Sequence, residues 1–518
     1  MVSAGVFYST HHSRGKNMPL DYVIGIDCST TACKAIIWDR QGHAIAEGRS
    51  PLPLLTPNPS WYEQPANAWW VAMVQALRQA CALFDTSHLG AICITHQRET
   101  FVPVDRSGAP LRNGIVWMDE RCRSLLPALE QALDKDNFHR TTGKPLSVNL
   151  MVGKIAWLRQ FEPEVFTRTE HYLDVHAYLV YCLTGKYCTG WGCADPTGLF
   201  DMLRNNWAFQ LAEEVGVHAD QLPDAFPPGT ILGTVTPDAA KECGIPSGLP
   251  VVAGIGDGQM GGLGVNITQP GDAYLALGTS VVSGAYSVDY VTHPSFRTMY
   301  GGVPNTYLLE TALMGGGYTL TWFHENIAQP GMDYEREAAK LPPGSQGLLL
   351  VPYWNSVLGP YWDAAASGIV VGWRGMHSTV HLFRSILEGI AFEQRLCTSG
   401  VEKVTGHNTN RFIVIGGGAR STLWCQIIAD VTGTQVVRAD TTEAAALGAG
   451  ILAACAVGWY PNVREAVNVM SHLLPDTFTP DPKRHEFYSK IFEQVYCHLF
   501  PALQPFIDQI PNLIEKNG

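Results

Sequence analysis

The chain has 518 residues, 46% of them apolar and 16% charged, with a formal net charge of −12. That length exceeds one ordinary core and predicts two domains of about 200–250 residues each. An acidic balance with no basic block argues against nucleic acid or an anionic membrane surface as the main partner. A polyanion such as ATP stays open, because a local site can be neutralised on an acidic protein.

The first 20 residues, with His11, His12, Arg14 and Lys16, read as a disordered extension, and Met18 is a candidate start. No continuous apolar run there resembles a secretory signal. Ordered structure is expected from Asp21 in a first domain spanning 21–268. Tyr22–Ile26 is a short strand, Asp27–Thr31 a polar turn, Lys34–Trp38 a second strand, and Gln41-Gly42 a hairpin turn. Trp69–Leu83 has helical apolar spacing, and Leu89–Thr95 returns as a strand. This alternation predicts an α/β domain with a mixed sheet.

A second domain, 269–518, repeats the opening: a strand from Ala273 to Leu277, the small-residue turn Gly278-Thr279-Ser280, and a strand from Val281 to Tyr286. Arg411–Ile415 is a strand followed by the turn Gly416-Gly417-Gly418, and the helix over Ser421–Val431 stops at Gly433, a good C-terminal cap. Ala444–Tyr460, uncharged and rich in Ala and Gly, suits a buried helix better than a membrane span. The 13 cysteines are odd in number and none forms Cys-x-x-Cys, so they read as reduced thiols of a cytoplasmic protein. Two similar halves imply a duplicated fold with a cleft between them.

Transfer of a phosphoryl group from a nucleotide needs donors around the phosphates, a carboxylate for Mg²⁺ and a base for the accepting hydroxyl. The P-loop pattern G-x-x-x-x-G-K-[ST] is absent, so turns rich in Gly, Ser and Thr are the candidate phosphate cradles. Asp27-Cys28-Ser29-Thr30-Thr31 and Gly278-Thr279-Ser280 fit, at matching places in the two halves. Gly256-x-Gly258-x-x-Gly261 fits a dinucleotide fingerprint. Against that reading, Asp257 would aim a carboxylate at the pyrophosphate, and Asp272 precedes its strand.

The paired turns resemble the phosphate loops of the actin, hexokinase and heat-shock chaperone superfamily. Within it the chain resembles the FGGY carbohydrate kinases, through Ser147 to Leu158 (with Lys154, Ile155 and Trp157), Gly359-Pro360-Tyr361-Trp362-Asp363, Gly368 to Glu388, and Gly416 to Arg420. The resemblance implies an α/β fold of two duplicated actin/hexokinase-like (ribonuclease H-like) domains, a small sugar or polyol substrate, Mg-ATP, and relatives that are often homodimers. It implies Asp257 as general base and Asp27 as metal-organising carboxylate, with Asp257 also near the metal. ATP contacts are implied for Thr30, Thr31, Gly278, Thr279, Gly417 and Gly418, and for Gly316 and Gly317, where tight packing is the rival reading. Substrate contacts are expected from His96, Gln97, Arg98 and Glu99 at a strand's end, with Trp117, Asn149 and Asp257.

Two substrate readings stay open. Gln97-Arg98-Glu99 and Ile115-Val116-Trp117-x-Asp119 are similar to glycerol kinases. Yet Asn149 stands where those carry Tyr and Gly258 where they carry Gln, which predicts a larger pocket. Lys144–Trp157 and Asp174–Asp201 look more like xylulokinases, although their Met-His-Gly motif is missing. A ketopentose such as xylulose is therefore expected first, glycerol or a short polyol second, and an actin-like ATPase without a sugar substrate is the distant alternative.

Overall fold

The computed structural model of the protein describes residues 20–354, 356–363, 365–510 and 513. The expectations for residues 1–19 therefore lie outside the described residues.

The first lobe is built on strands β1 (Tyr22–Cys28), β2 (Ala32–Trp38), β3 (Ala44–Pro51), β4 (Leu89–His96), β5 (Ile231–Thr234) and β6 (Pro250–Val252), in the spatial order β5-β6-β4-β1-β2-β3. Its helices include α1 (Ala66–Cys81), α2 (Val175–Thr184) and α3 (Asp257–Gly264). Trp69, Met73, Ala76 and Leu77 form the buried stripe of α1, the 3.6-residue spacing that makes this segment a helix.

The second lobe carries β7 (Asp272–Leu277), β8 (Val281–Ser287), β9 (Arg297–Tyr300), β10 (Tyr307–Leu313), β11 (Arg411–Ile415), β12 (Gln435–Ala439) and β13 (Leu473–Phe478), ordered β9-β10-β8-β7-β11-β12-β13. Helices α4 (Gly316–Asn326), α5 (Thr379–Thr405), α6 (Thr422–Thr432) and α7 (Ala444–Ala456) complete what positions the site. Gly433, in the left-handed conformation at φ 73°, ends α6; a side chain at that φ is strained, which is why glycine serves there.

The two sheets repeat one pairing scheme. In the first, β1 pairs antiparallel with β2 and parallel with β4, and β4 is parallel to β6, which is antiparallel to β5. In the second, β7 pairs antiparallel with β8 and parallel with β11, and β11 is parallel to β12, which is antiparallel to β13. The sequence repeat is thus a repeat of topology.

The lobes are not separate in packing. Helix α7, from the second half of the chain, lies against β1, β4 and α3 of the first lobe. A Cβ on Gly25 would sit 2.0 Å from the Ala446 carbonyl oxygen, and one on Gly264 2.0 Å from that of Ala444. Small residues on both sides let the backbones meet, and the Trp38 indole donates to the Ala446 carbonyl at 3.1 Å. Among the described residues no helix is long and apolar enough to cross a membrane.

Candidate active site

A cavity of about 200 Å³ is walled by both lobes, with Thr30, Arg98, Glu99, Trp117, Asn149 and Asp257 on one side and Ser280, Arg297 and Met314 on the other. Arg98 and Glu99 follow β4 after one intervening residue, Gln97. Glu99 turns the chain with a φ of 60°, a left-handed conformation that costs a non-glycine residue about 1–3 kcal/mol and clusters at functional sites. Trp117 is held by four bonds: its backbone N–H donates to Thr100 Oγ1 at 3.0 Å, its indole to Thr30 Oγ1 at 3.0 Å, and its carbonyl accepts from Lys154 Nζ at 2.8 Å and Asn149 Nδ2 at 3.4 Å. Lys154 also donates to the Asn149 carbonyl at 2.7 Å, so one buried ammonium ties two cavity walls together.

Asp257 is the first residue of α3 and its side chain opens on the cavity. Arg98 Nε approaches Asp257 Oδ1 at 3.0 Å, and Arg98 Nη1 approaches Glu310 Oε2 at 2.7 Å. Arg297 bridges Glu99 Oε1, at 2.8 Å, and Glu310 Oε1. Two guanidiniums are thereby shared among three carboxylates. Enclosure raises the Asp257 carboxyl above its ordinary range while Arg98 opposes that shift. Glu310 is held down, to about 2, because both arginines outweigh its burial.

Asp27 is the last residue but one of β1, opposite Lys34 of β2. Burial, and then the Asp257 charge, raise its carboxyl to about 7, with Lys34 pulling the other way. Its Oδ1 is buried and accepts no hydrogen bond. Such an atom is costly unless a cation or donor meets it. Lys34 itself bonds Glu443, the residue before α7, at 2.5 Å.

A second hollow, of about 480 Å³, is lined by Leu320, His324, Phe383, Gly417, Gly418 and Trp424. A Cβ on Gly417 would meet nothing within 4 Å, so this backbone faces open space. The turn Gly278–Ser280 lies between the two hollows: Ser280 lines the first, and Gly418 packs against Leu277 at the turn's start.

Several sequence expectations are corrected by the geometry. His96 and Gln97 do not reach the cavity. His96 ends a strand buried on both faces and sits beside His176. Gln97 lies behind the first turn, donating to Gln64, which in turn donates to the Thr30 carbonyl at 2.7 Å. Thr31, Gly278 and Thr279 are alike in being exposed on their turns and lining neither hollow. Gly316 and Gly317 serve the rival role: their Cβ atoms would strike Val281 at 2.5 Å and the Gly278 carbonyl at 2.1 Å, so they let α4 press on the turn. Gly258 does not enlarge the pocket either. A Cβ there would lie 2.9 Å from Glu310 Oε2 and 3.1 Å from the Tyr274 hydroxyl, so those groups fill the space.

Sequence reasoning missed Arg297 and Glu310. They face each other across β9 and β10, and a lone Glu in the apolar run Tyr307–Leu313 was the available signal.

Two like-built lobes around a polyol-sized cavity, with the Asp257 carboxylate opening on it and a glycine-containing hollow beyond, fit a kinase of small hydroxylated substrates. The chain belongs to the FGGY family of carbohydrate kinases, whose N-terminal domain matches residues 22–264 and C-terminal domain residues 273–457. It is a carbohydrate kinase and ATP is its phosphoryl donor. It is 28% identical to a xylulose kinase of Staphylococcus epidermidis, over 92% of this chain and 97% of that one. It is 29% identical to a glycerol kinase of Symbiobacterium thermophilum, over 89% and 94%. The solved structure of a gluconate kinase from Lactobacillus acidophilus superposes with a TM-score of 0.88 at 25% identity, covering 93% and 98%.

Proposed function

We propose that the protein phosphorylates a hydroxyl of a neutral ketopentose, with D-xylulose first, and that Asp257 is the general base. The observation that carries this reading is the shared cavity of Arg98, Glu99, Trp117, Asn149 and Asp257. Arg98 and Glu99 donate to and accept from neighbouring hydroxyls, the Trp117 face covers the carbon chain, and Asp257 takes the proton of the attacking hydroxyl as the γ-phosphoryl moves. Arg98, bound to Asp257 on one side and Glu310 on the other, orients that carboxylate.

Charge separates the candidate substrates. Both cavity arginines are already committed to Glu99, Glu310 and Asp257, so neither is left over for a substrate carboxylate. A buried anion without a partner is expensive, which disfavours gluconate and favours an uncharged sugar. Glycerol is the second reading, supported by Arg98, Glu99 and Trp117. The room argument for a longer substrate now rests on Asn149 alone.

The residues present fit Mg²⁺: Asp27 offers the unpartnered Oδ1, and Asp257 is close enough to raise its pKa. Asp27, directly or through water, and Asp257 would hold the ion, which neutralises phosphate charge during transfer. Gly417 and Gly418 with Trp424 and Leu320 suit the adenosine, and the two turns, with Thr30, Thr31, Gly278 and Thr279, suit the phosphates. The domain boundary is placed at the loop between α3 and β7.

Competition among xylulose, glycerol and gluconate in one ATP-coupled assay tests the substrate. A kcat/KM highest for xylulose supports the reading; highest for gluconate overturns the charge argument, and highest for glycerol promotes the second reading.

A further inference from the structure

The loop that delivers Asp257 to the cavity is tied to a buried polar chain that lines neither hollow. Gly254 to Gly256 run from β6 into α3. Gly256 N–H donates to the Gly192 carbonyl at 3.0 Å, and Thr95 Oγ1 donates to the Ile255 carbonyl at 2.8 Å. The Gly254 backbone is wedged: a Cβ on it would lie 1.8 Å from the Ile94 carbonyl oxygen, and one on Gly190 2.1 Å from its own. Its N–H donates to His176 Nε2 at 3.2 Å.

That bond fixes the rest of the chain. With Nε2 an acceptor, a neutral imidazole must carry its proton on Nδ1. Thr189 Oγ1 lies 3.3 Å from Nδ1, so Thr189 accepts there and gives its own proton to Asp174 Oδ2, at 2.9 Å. Asp174 Oδ1 accepts the Ala177 N–H at 2.9 Å and so caps α2. His176 and Thr189 are fully buried and Asp174 nearly so. Burial holds the imidazole far below its usual range, at about 3. Every donor among His176, Thr189 and Asp174 has one direction, and bonds of that kind specify one arrangement of the groups they join; the adjacent His96 ring, 3.9 Å from Asp174 Oδ1, has both nitrogens buried without a hydrogen-bond partner.

We propose that His176, with Thr189 and Asp174, is a positioning relay that sets the backbone carrying Asp257, and so the reach of that carboxylate to the sugar hydroxyl. The proposal rests on Asp257 being the base. Relaxation of Gly254 moves Asp257 without removing any group that binds sugar or ATP, and small misplacements of a reacting group are expensive. The signature is therefore a loss in kcat with little change in either KM.

The test compares His176→Leu, His176→Gln, Thr189→Val and Asp257→Asn in steady-state kinetics, each normalised to the folded fraction from a thermal melt. His176→Leu removes the acceptor and should lower kcat by roughly 10–100-fold with both KM values within about twofold. His176→Gln keeps an amide oxygen for Gly254 N–H and should restore kcat to within about threefold. Thr189→Val leaves His176 in place but frees its tautomer, with an intermediate loss. A normal kcat in His176→Leu, or equal losses in the Leu and Gln variants, overturns the relay. A normal kcat in Asp257→Asn overturns the base reading instead. Nitrogen NMR of the wild-type imidazole separates the two: an Nδ1-protonated ring at neutral pH supports the relay, and a proton on Nε2 overturns it whatever Asp257 does.

Discussion

The turns after β1 and β7 occupy the same place in two sheets of the same pairing scheme, yet only one carries charge. The register sets Asp27 opposite Lys34 at the first and Ala276 opposite Val282 at the second. Their surroundings differ to match: Asp27 has a buried oxygen with no donor, whereas Leu277 packs on Gly418 beside the second hollow. Topology was duplicated and chemistry was not. One copy holds the groups that suit metal and hydroxyl, the other the backbone that suits a base and ribose.

The sharpest way to break that division is Asp257→Asn, which should lower turnover by roughly 10²–10⁴-fold, the span for loss of a general base. ATP binding, read by calorimetry in the absence of sugar, should persist because the hollow proposed for the adenosine is built from the other lobe. Near-normal turnover removes Asp257 from the mechanism. Asp27→Ala makes the first turn like its counterpart. The Mg²⁺ concentration for half-maximal rate should then rise by about 10–100-fold, and an unchanged Mg²⁺ titration would place the ion elsewhere.

Smaller effects sharpen the contrast. Asn149→Tyr narrows the first-lobe wall and should shift the xylulose-to-glycerol ratio of kcat/KM about tenfold towards glycerol, since a buried donor that loses its partner costs about 1–3 kcal/mol. If the ratio holds, the pocket argument fails. In the second lobe, Glu393 accepts from the Tyr353 and Tyr496 hydroxyls at 2.9 and 2.8 Å, and burial raises its carboxyl from 4.5 to about 7. The folded state then holds the proton more tightly than the unfolded one. Stability should fall as pH rises from about 4.5 to about 7, by roughly 3 kcal/mol from this group. Denaturant melts across that range should show the slope, and Glu393→Gln should flatten it without a comparable change in kcat. This carboxylate, unlike Asp27, serves the core alone.

Local pattern carried most of the frame. The apolar runs of β1, β2 and β4, the small-residue turns and the Gly433 stop are properties of neighbouring residues, and all are legible in sequence. Arg98, Glu99, Trp117, Asn149 and Asp257 were legible as motif residues. What escaped depended on parity or register. His96 and Thr95 sit on a strand buried on both faces, where alternation gives no sign of which side chain meets the cavity. Arg297 and Glu310 meet only through the pairing of β9 with β10, and the contents of the space beside Gly258 come from three distant segments.

The seat of α7 against the first lobe has a consequence for synthesis. Trp38 and its acceptor Ala446 are 408 residues apart in the chain. At about 5–20 residues per second, β1 and β2 leave the ribosome roughly 20–80 s before the helix that covers them. Leu447, Ile451 and Leu452 each bury a side chain there, about 1.5–3 kcal/mol apiece. Until they arrive the nascent first lobe presents an uncovered apolar face, and residues 22–264 made alone would keep it. The half of the chain translated last thus finishes the core of the half translated first, and a ribosome that stops before Ala444 releases an adhesive fragment, not a smaller enzyme.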